Sequence, residues 1–292
     1  MHIILGATGQ IGSALVSGLL ENGQTVKAII RDEQKAHSVP AIAAVEVADL
    51  LHLPSLIHAC SDATTLFVLT PEDPKAIDVL ATTRSIIENY RKVVVATPVK
   101  KIVGLSSIGA QHEKGTGNLR ASYLLEHAFE DLAVQQIFIR PAYYFSNWLP
   151  YLGSVKEQGI LPTFFPVDQQ LPMVAPNDVA AVLTDVMIKD SDEASKRVYE
   201  VEGPTWYSAA DVALAFSQSL DIDVRAEQVP RAQWEEMLQS SGFSADAATQ
   251  LIEMTEAVID GRALPEGIGN VSFRGQTTLQ RYIAEIVAQP MT

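Results

Sequence analysis

Along roughly the first 140 positions, apolar residues recur in two alternating rhythms. Short, almost wholly apolar runs lie at His2–Leu5, Thr25–Ile30, Ala43–Val47, Thr65–Leu69, Lys101–Leu105 and Gln136–Ile139. Between them, apolar positions three and four apart predict helices over Ile11–Glu21, Leu53–Cys60, Asp73–Tyr90 and Asn118–Leu132. Strands without a polar face need cover on both sides, and crossover helices supply it. The β-α-β-α order therefore predicts a parallel sheet. Right-handed crossovers and short connections make it doubly wound, an α/β fold of the Rossmann type.

After Arg140 the rhythm breaks. The segment PAYYFSNWLPYLGSVKEQGILPTFFPVDQQLPMVAPND is rich in aromatics and proline, and it reads as irregular chain lining something concave. Order returns with a helix from Asn177 or Asp178 to Ile188, a strand at Arg197–Val201 and a helix at Ser208–Leu220. Ser208 suits an N-cap, and Asp211 occupies the third helical position, where a carboxylate is favoured. The remainder is mostly helical and ends in Thr277–Val287. The expected organisation is a dinucleotide-type domain over 1–150, borrowing part of 176–201, interleaved with a smaller, mostly helical lobe over 151–292. The last helix, LQRYIAEIVA, suits an ordinary core helix or a dimer face, leaving monomer and homodimer open.

Within this framework, Gly6, Gly9 and Gly12 follow the first strand and open the first helix. Outward amides and the helix dipole at such a turn suit a pyrophosphate, and glycine removes the Cβ that would keep the phosphates away. Because the motif sits inside a βαβ unit, it predicts dinucleotide binding. At the tip of the second strand, where NAD sites usually carry an acid, stand Ile30 and then Arg31. A guanidinium there pairs with a 2′-phosphate and stacks on adenine, favouring NADP(H) over NAD(H). Asp32 directed at the ribose is the alternative.

Composition narrows the function. The 292 residues carry a net charge of −14, which disfavours nucleic acid and anionic membrane surfaces. No apolar run approaches the roughly 18–20 residues that span a bilayer. Met1 leads into HIIL with neither a basic segment nor a cleavage site, so a cytoplasmic location is expected. The single cysteine, Cys60, excludes an internal disulfide framework, and the six histidines lack metal-binding spacing, so no metal is expected. No GxSxG elbow is present. DSDEASK reads as a solvated acidic loop and the charges of AQWEEML as an exposed helix face.

The stretches GATGQIG with IIRD, VADLLHLPSLIHAC, GLSSIGA and FIRPAYYFSNW resemble the NmrA-like branch of the atypical short-chain dehydrogenases/reductases, over essentially the whole chain. Within it the likeness is to NAD(P)H quinone oxidoreductases and triphenylmethane-type dye reductases. The resemblance implies that Thr8, Gly9, Gln10 and Ile11 wrap the pyrophosphate while Arg31 holds the 2′-phosphate. It places Asp49 and Leu50 beside the adenine, and Thr70 and Pro71 under the nicotinamide ribose. Ser106 and Ser107 would face the nicotinamide, and Pro141, Ala142, Tyr143 and Tyr144 would offer backbone groups to its carboxamide.

One departure matters. The short-chain fold usually carries Tyr-x-x-x-Lys after the fifth strand, whereas here Tyr123 is followed four residues on by His127. Ketone–alcohol interconversion by that pair is therefore disfavoured. A quinone or cationic dye needs no obligatory protein acid, and for it the protein's task is stacking and orientation. Tyr143, Tyr144, Phe145, Trp148, Phe164 and Phe165 are candidates for a flat apolar pocket, each equally suited to a core. His112, in GAQHEKGTG, would cover the nicotinamide or donate a proton; otherwise it is an exposed loop histidine. Tyr123 and His127 share a helical face and could form a substitute relay. The expectation is an NADPH-dependent reductase of quinone-like or dye acceptors. Its alternatives are an NADP(H)-binding redox sensor without turnover and, more weakly, a tailoring enzyme of secondary metabolism.

Overall fold

The computed structural model describes residues 1–189 and 196–288. Most of the DSDEASK segment lies outside them. In chain order the first half runs β1 (His2–Leu5), α1 (Gln10–Glu21), β2 (Val26–Ile30), β3 (Ala44–Val47), α2 (Leu53–Ala59), β4 (Thr65–Leu69), α3 (Val79–Ala96), β5 (Lys101–Leu105), α4 (Arg120–His127) and β6 (Gln135–Pro141). The second half runs β7 (Tyr143–Tyr144), α5 (Leu152–Gln158), β8 (Ile160–Thr163), β9 (Leu171–Val174), α6 (Pro176–Ile188), β10 (Lys196–Glu202), β11 (Trp206–Tyr207), α7 (Ala209–Leu220), β12 (Arg225–Gln228), α8 (Trp234–Ser240), α9 (Ala245–Ile259), β13 (Val271–Arg274) and α10 (Leu279–Val287).

Eight strands form one parallel sheet in the order β13-β10-β6-β5-β4-β1-β2-β3. The order reverses beside β1, which pairs with β2 on one side and β4 on the other. That reversal leaves a crevice at the carboxyl ends of the strands, where an open α/β sheet takes its ligand. Because β strands alternate their side chains, Ile4 and Phe67 join α1 and α6 on one face, through Leu15, Leu19 and Leu183. Ile3, Leu5 and Leu66 join α2, α3 and α4 on the other, through Leu56, Tyr90 and Leu125. A third core, around Phe145, Trp148, Phe216 and Ile283, gathers elements after β6, where α10 packs against α7.

The structure redraws several predicted elements. The helix expected from Asp73 begins at Val79, because Asp78 caps it, accepting from the Ala81 amide at 2.8 Å. It continues to Ala96 because Val93 and Val94 are buried. The helix expected over Asn118–Leu132 is regular only from Arg120 to His127, preceded by a 3₁₀ turn over Gly117–Leu119. The aromatic segment after Arg140 is not irregular throughout: β7, β9 and β11 form one small sheet, and β8 and β12 another. These strands have two to four residues, too few for a hydrophobic period to register. β13 likewise emerges from a stretch expected to be helical and extends the main sheet beside β10.

Candidate functional site

After β1 the chain turns at Gly6, whose φ of +66° lies in the left-handed region. α1 begins without a side-chain cap, and the Ser13 amide donates to the Gly9 carbonyl at 2.9 Å. The amides at the start of an α-helix have no carbonyl one turn back to bind, and the positive end of the dipole lies behind them. A Cβ on Gly12 would stand 2.3 Å from the Gly6 carbonyl oxygen, and one on Gly9 would be 3.3 Å from the same atom. The turn is thus folded too tightly for a side chain at Gly12. Its geometry fits a dinucleotide diphosphate approaching bare backbone.

The other predicted cofactor residues lie along the same edge. Arg31 is exposed directly after β2, while Asp32 beside it caps the following turn, accepting from the Gln34 amide at 3.0 Å. Asp49 accepts from the Leu51 amide at 2.9 Å, and the Leu50 carbonyl accepts from Asn89 Nδ2 at 2.8 Å, just past β3. Gln10 Oε1 accepts from the Ser146 hydroxyl at 3.0 Å, joining the glycine turn to the chain after β7.

A cavity of about 530 Å³ opens at the strand tips. Thr70 and Pro71 after β4, Ser106 and Ser107 after β5, and Pro141, Ala142, Tyr143 and Tyr144 at and after β6 all line it. Two of the backbone groups expected to serve a carboxamide are already engaged. The Pro141 carbonyl accepts from the Ile108 amide at 3.1 Å, and the Ala142 amide donates to the Val201 carbonyl at 2.9 Å. Facing the strand tips, Phe243 and the α9 residues Ala247, Gln250, Leu251, Met254 and Val258 form a wall that is apolar except at Gln250. Sequence reasoning missed this wall: spacings of three and four put its α9 residues on one face, but such a stripe reads equally as ordinary core. α9 is held in place where the Ser244 amide donates to the Pro74 carbonyl at 2.8 Å and Asp246 accepts from the Val79 amide at 2.8 Å.

Behind Ser106 lies a buried ionic network that the sequence did not reveal. The Ser106 hydroxyl donates to Glu126 Oε1 at 2.5 Å. Arg140 donates to both oxygens of Glu126, at 2.8 and 2.7 Å, and to Glu266 at 3.0 Å. Burial opposes the charge of Arg140, but its bonds to Glu126 and Glu266 outweigh that and raise its pKa. Three buried polar atoms on residues lining the cavity lack a partner within the protein: Tyr144 Oη, Asn118 Oδ1 and Gln250 Oε1. Polar atoms left in this way at a cavity wall mark a surface shaped for a ligand or water.

The remaining candidates fall elsewhere. Phe145 and Trp148 are fully enclosed in the third core. Phe165 backs Tyr143 edge-on, with ring centroids 5.4 Å apart, and Phe164 stacks on Trp234 at 4.7 Å. None of these four lines the cavity, because their rings fill the space behind the wall rather than forming it. Tyr123 and His127 stack on each other at 4.1 Å, with His127 Nδ1 donating to the Tyr123 carbonyl at 2.8 Å. His127 faces a surface groove with Arg84 and Arg91, away from the strand tips, so the pair makes no relay into the cavity. His112 is exposed and is not part of the lining.

Comparison with known proteins agrees with this geometry. The chain is 26% identical to an NAD(P)H azoreductase of Xenophilus azovorans over 256 residues, covering 87% of this chain and 86% of that one. Its fold matches an NADPH-dependent quinone oxidoreductase of Escherichia coli in complex with NADPH, with a TM-score of 0.79 at 21% identity, covering 98% and 99% of the two chains. It also matches the triphenylmethane reductase of Citrobacter sp. in complex with NADP(H), with a TM-score of 0.76 at 19% identity and the same coverage. The profile of the NmrA-like family matches residues 2–266, and the chain belongs to that family.

Proposed function

We propose that this protein is an NADPH-dependent oxidoreductase that passes hydride to a flat electrophilic acceptor of the quinone, azo or dye class. The observation that carries this is the placement of the bare glycine turn at the carboxyl end of β1, next to β4, whose tip lines the largely apolar cavity together with those of β5 and β6. Gly9, Gly12 and the first amides of α1 would hold the diphosphate, and Arg31 the 2′-phosphate. Asp32 is already engaged by its own turn, which supports NADP(H) over NAD(H). A reduced nicotinamide, once bound, supplies the hydride. Tyr143, Phe243, Leu251 and Met254 would orient the acceptor and exclude water around it. The names of the azoreductase, quinone oxidoreductase and triphenylmethane reductase relatives support the same acceptor class.

The test is stopped-flow oxidation of NADPH against a panel of quinones, azo dyes and triphenylmethane dyes. Acceptor-dependent loss of the reduced-nicotinamide absorbance is expected, and its absence across the whole panel would refute the reading. The sensing alternative draws support from Tyr123 and His127, which stand outside the cavity where a dehydrogenase acid–base pair would be needed. It requires unequal affinities for the oxidised and reduced dinucleotide, which calorimetry measures directly.

A further inference from the structure

Among the described residues, the cavity lining contains Glu72 and Asp73 but no lysine, arginine or histidine. Glu72 directly follows Pro71, on the loop between β4 and α3. Asn118 Nδ2 donates to Glu72 Oε1 at 3.3 Å. From these positions we infer that Glu72 is the general acid that protonates the acceptor as it receives hydride. This inference rests on the function proposed above and assigns the one chemical role left vacant there.

The other candidate proton donors are less suited to the role. The Ser106 hydroxyl gives its proton to Glu126, which also accepts two bonds from Arg140, so toward the cavity Ser106 can only accept. The phenols of Tyr143 and Tyr144 are the other titratable groups facing Glu72, and burial raises both pKa values, making them weaker acids. The linings from α3, α4 and α9 contribute no titratable side chain; Asp73, next in the chain, is the remaining one. Around Glu72, the protein packed about the cleft desolvates the carboxyl and raises its pKa, so more of the acid form persists toward neutral pH. The residue is nevertheless solvent-accessible, which lets water reload it.

For an azo acceptor the balance is simple. Hydride and its two electrons, from the reduced nicotinamide, form one N–H bond. The Glu72 O–H bond breaks, its proton forms the second N–H bond, and the hydrazo product leaves Glu72 as a carboxylate. Water at the cavity mouth returns the proton. A triphenylmethane dye is a carbocation, and hydride alone converts it to the neutral leuco form. Glu72 should therefore matter for the first acceptor class and not for the second.

The experiment compares wild type with Glu72→Gln and Glu72→Asp, using NADPH with one azo dye and one triphenylmethane dye. The expected result is a fall of roughly 10²-fold or more in the ratio of azo to triphenylmethane kcat for Glu72→Gln, the scale of a lost general acid. Partial recovery is expected with Glu72→Asp. The wild-type azo rate should decline as pH rises through the Glu72 pKa, and the Glu72→Gln rate should not. Independently of turnover, carboxyl-carbon NMR should find Glu72 titrating above the ordinary value of about 4.3. An unchanged rate ratio in Glu72→Gln, with wild type active on both dyes, overturns the assignment alone. Wild type inactive on both dyes and on quinones overturns the proposed function and this assignment with it.

Discussion

At the scale of single residues, the glycine turn makes the sharpest demand. A Gly12→Ala methyl would have to displace the Gly6 carbonyl, since both belong to backbone with no flexible side chain to yield. We expect Gly12→Ala to cost about 1–3 kcal/mol of stability, the range for overpacking, and to weaken NADPH binding at least tenfold by calorimetry. Arg31→Ala removes only the partner for a 2′-phosphate. A lost charge-assisted contact of about 1.5–3 kcal/mol should shift the NADPH-to-NADH ratio of dissociation constants by tenfold or more, leaving NADH itself nearly unaffected. Cys60 is wholly buried, and burial pushes its thiol up to about 12. It should resist a thiolate-specific reagent in the native protein at neutral pH and react only in denaturant. The glycine turn was legible because its constraint is local to the backbone. The Glu126–Arg140 pair was not, since fourteen residues of chain separate its partners and only the fold brings them together.

At the scale of elements, caps determine what hydrophobic spacing leaves ambiguous. In α7, Ser208 and Asp211 form the reciprocal capping box that their spacing predicts. Burial pushes the Asp211 pKa up, but bonds from the Ser208 amide, the Ser208 hydroxyl and Gln170 prevail and lower it. Because the folded-state pKa is depressed, this contribution is present above the unfolded value of about 3.9 and is lost as pH falls through the folded-state value. Ser208→Ala should destabilise the protein by about 1 kcal/mol in a urea titration. In α3 the start moved from Asp73 to Val79 because two carboxylates, Asp78 from its own chain and Asp246 from α9, take the first amides. Of the residues released, Asp73 and Pro74 line the cavity. No helical period could have indicated this, since Asp246 lies 167 residues away.

At the scale of the molecule, the ionic network crosses the site from one half of the chain to the other. It runs from β5 through α4 and β6 to the loop after α9, where Glu200 of β10 accepts from the Glu266 and Gly267 amides at 2.8 and 2.9 Å. Removing Arg140 takes from Glu126 and Glu200, each 1% exposed, the guanidinium that both face. Arg140→Met should therefore cost about 3–5 kcal/mol in denaturant unfolding, far more than loss of an exposed ion pair such as Arg281 with Glu285.

The alternation of apolar runs and amphipathic stretches was enough, by itself, to determine a doubly wound parallel sheet, because buried parallel strands need no polar face and helices must cover them. The glycine spacing likewise determined the tight turn without side chains that opens α1, because the constraint lies within one turn of backbone. Which aromatics face the cavity, which helix closes it and which carboxylate stands inside it were decided only by tertiary packing. Phe145 and Trp148 turned inward to fill the third core, while Tyr143 and the α9 stripe were left to form the wall. Those choices depend on contacts between distant segments, and a one-dimensional pattern carries no record of which apolar face will meet which.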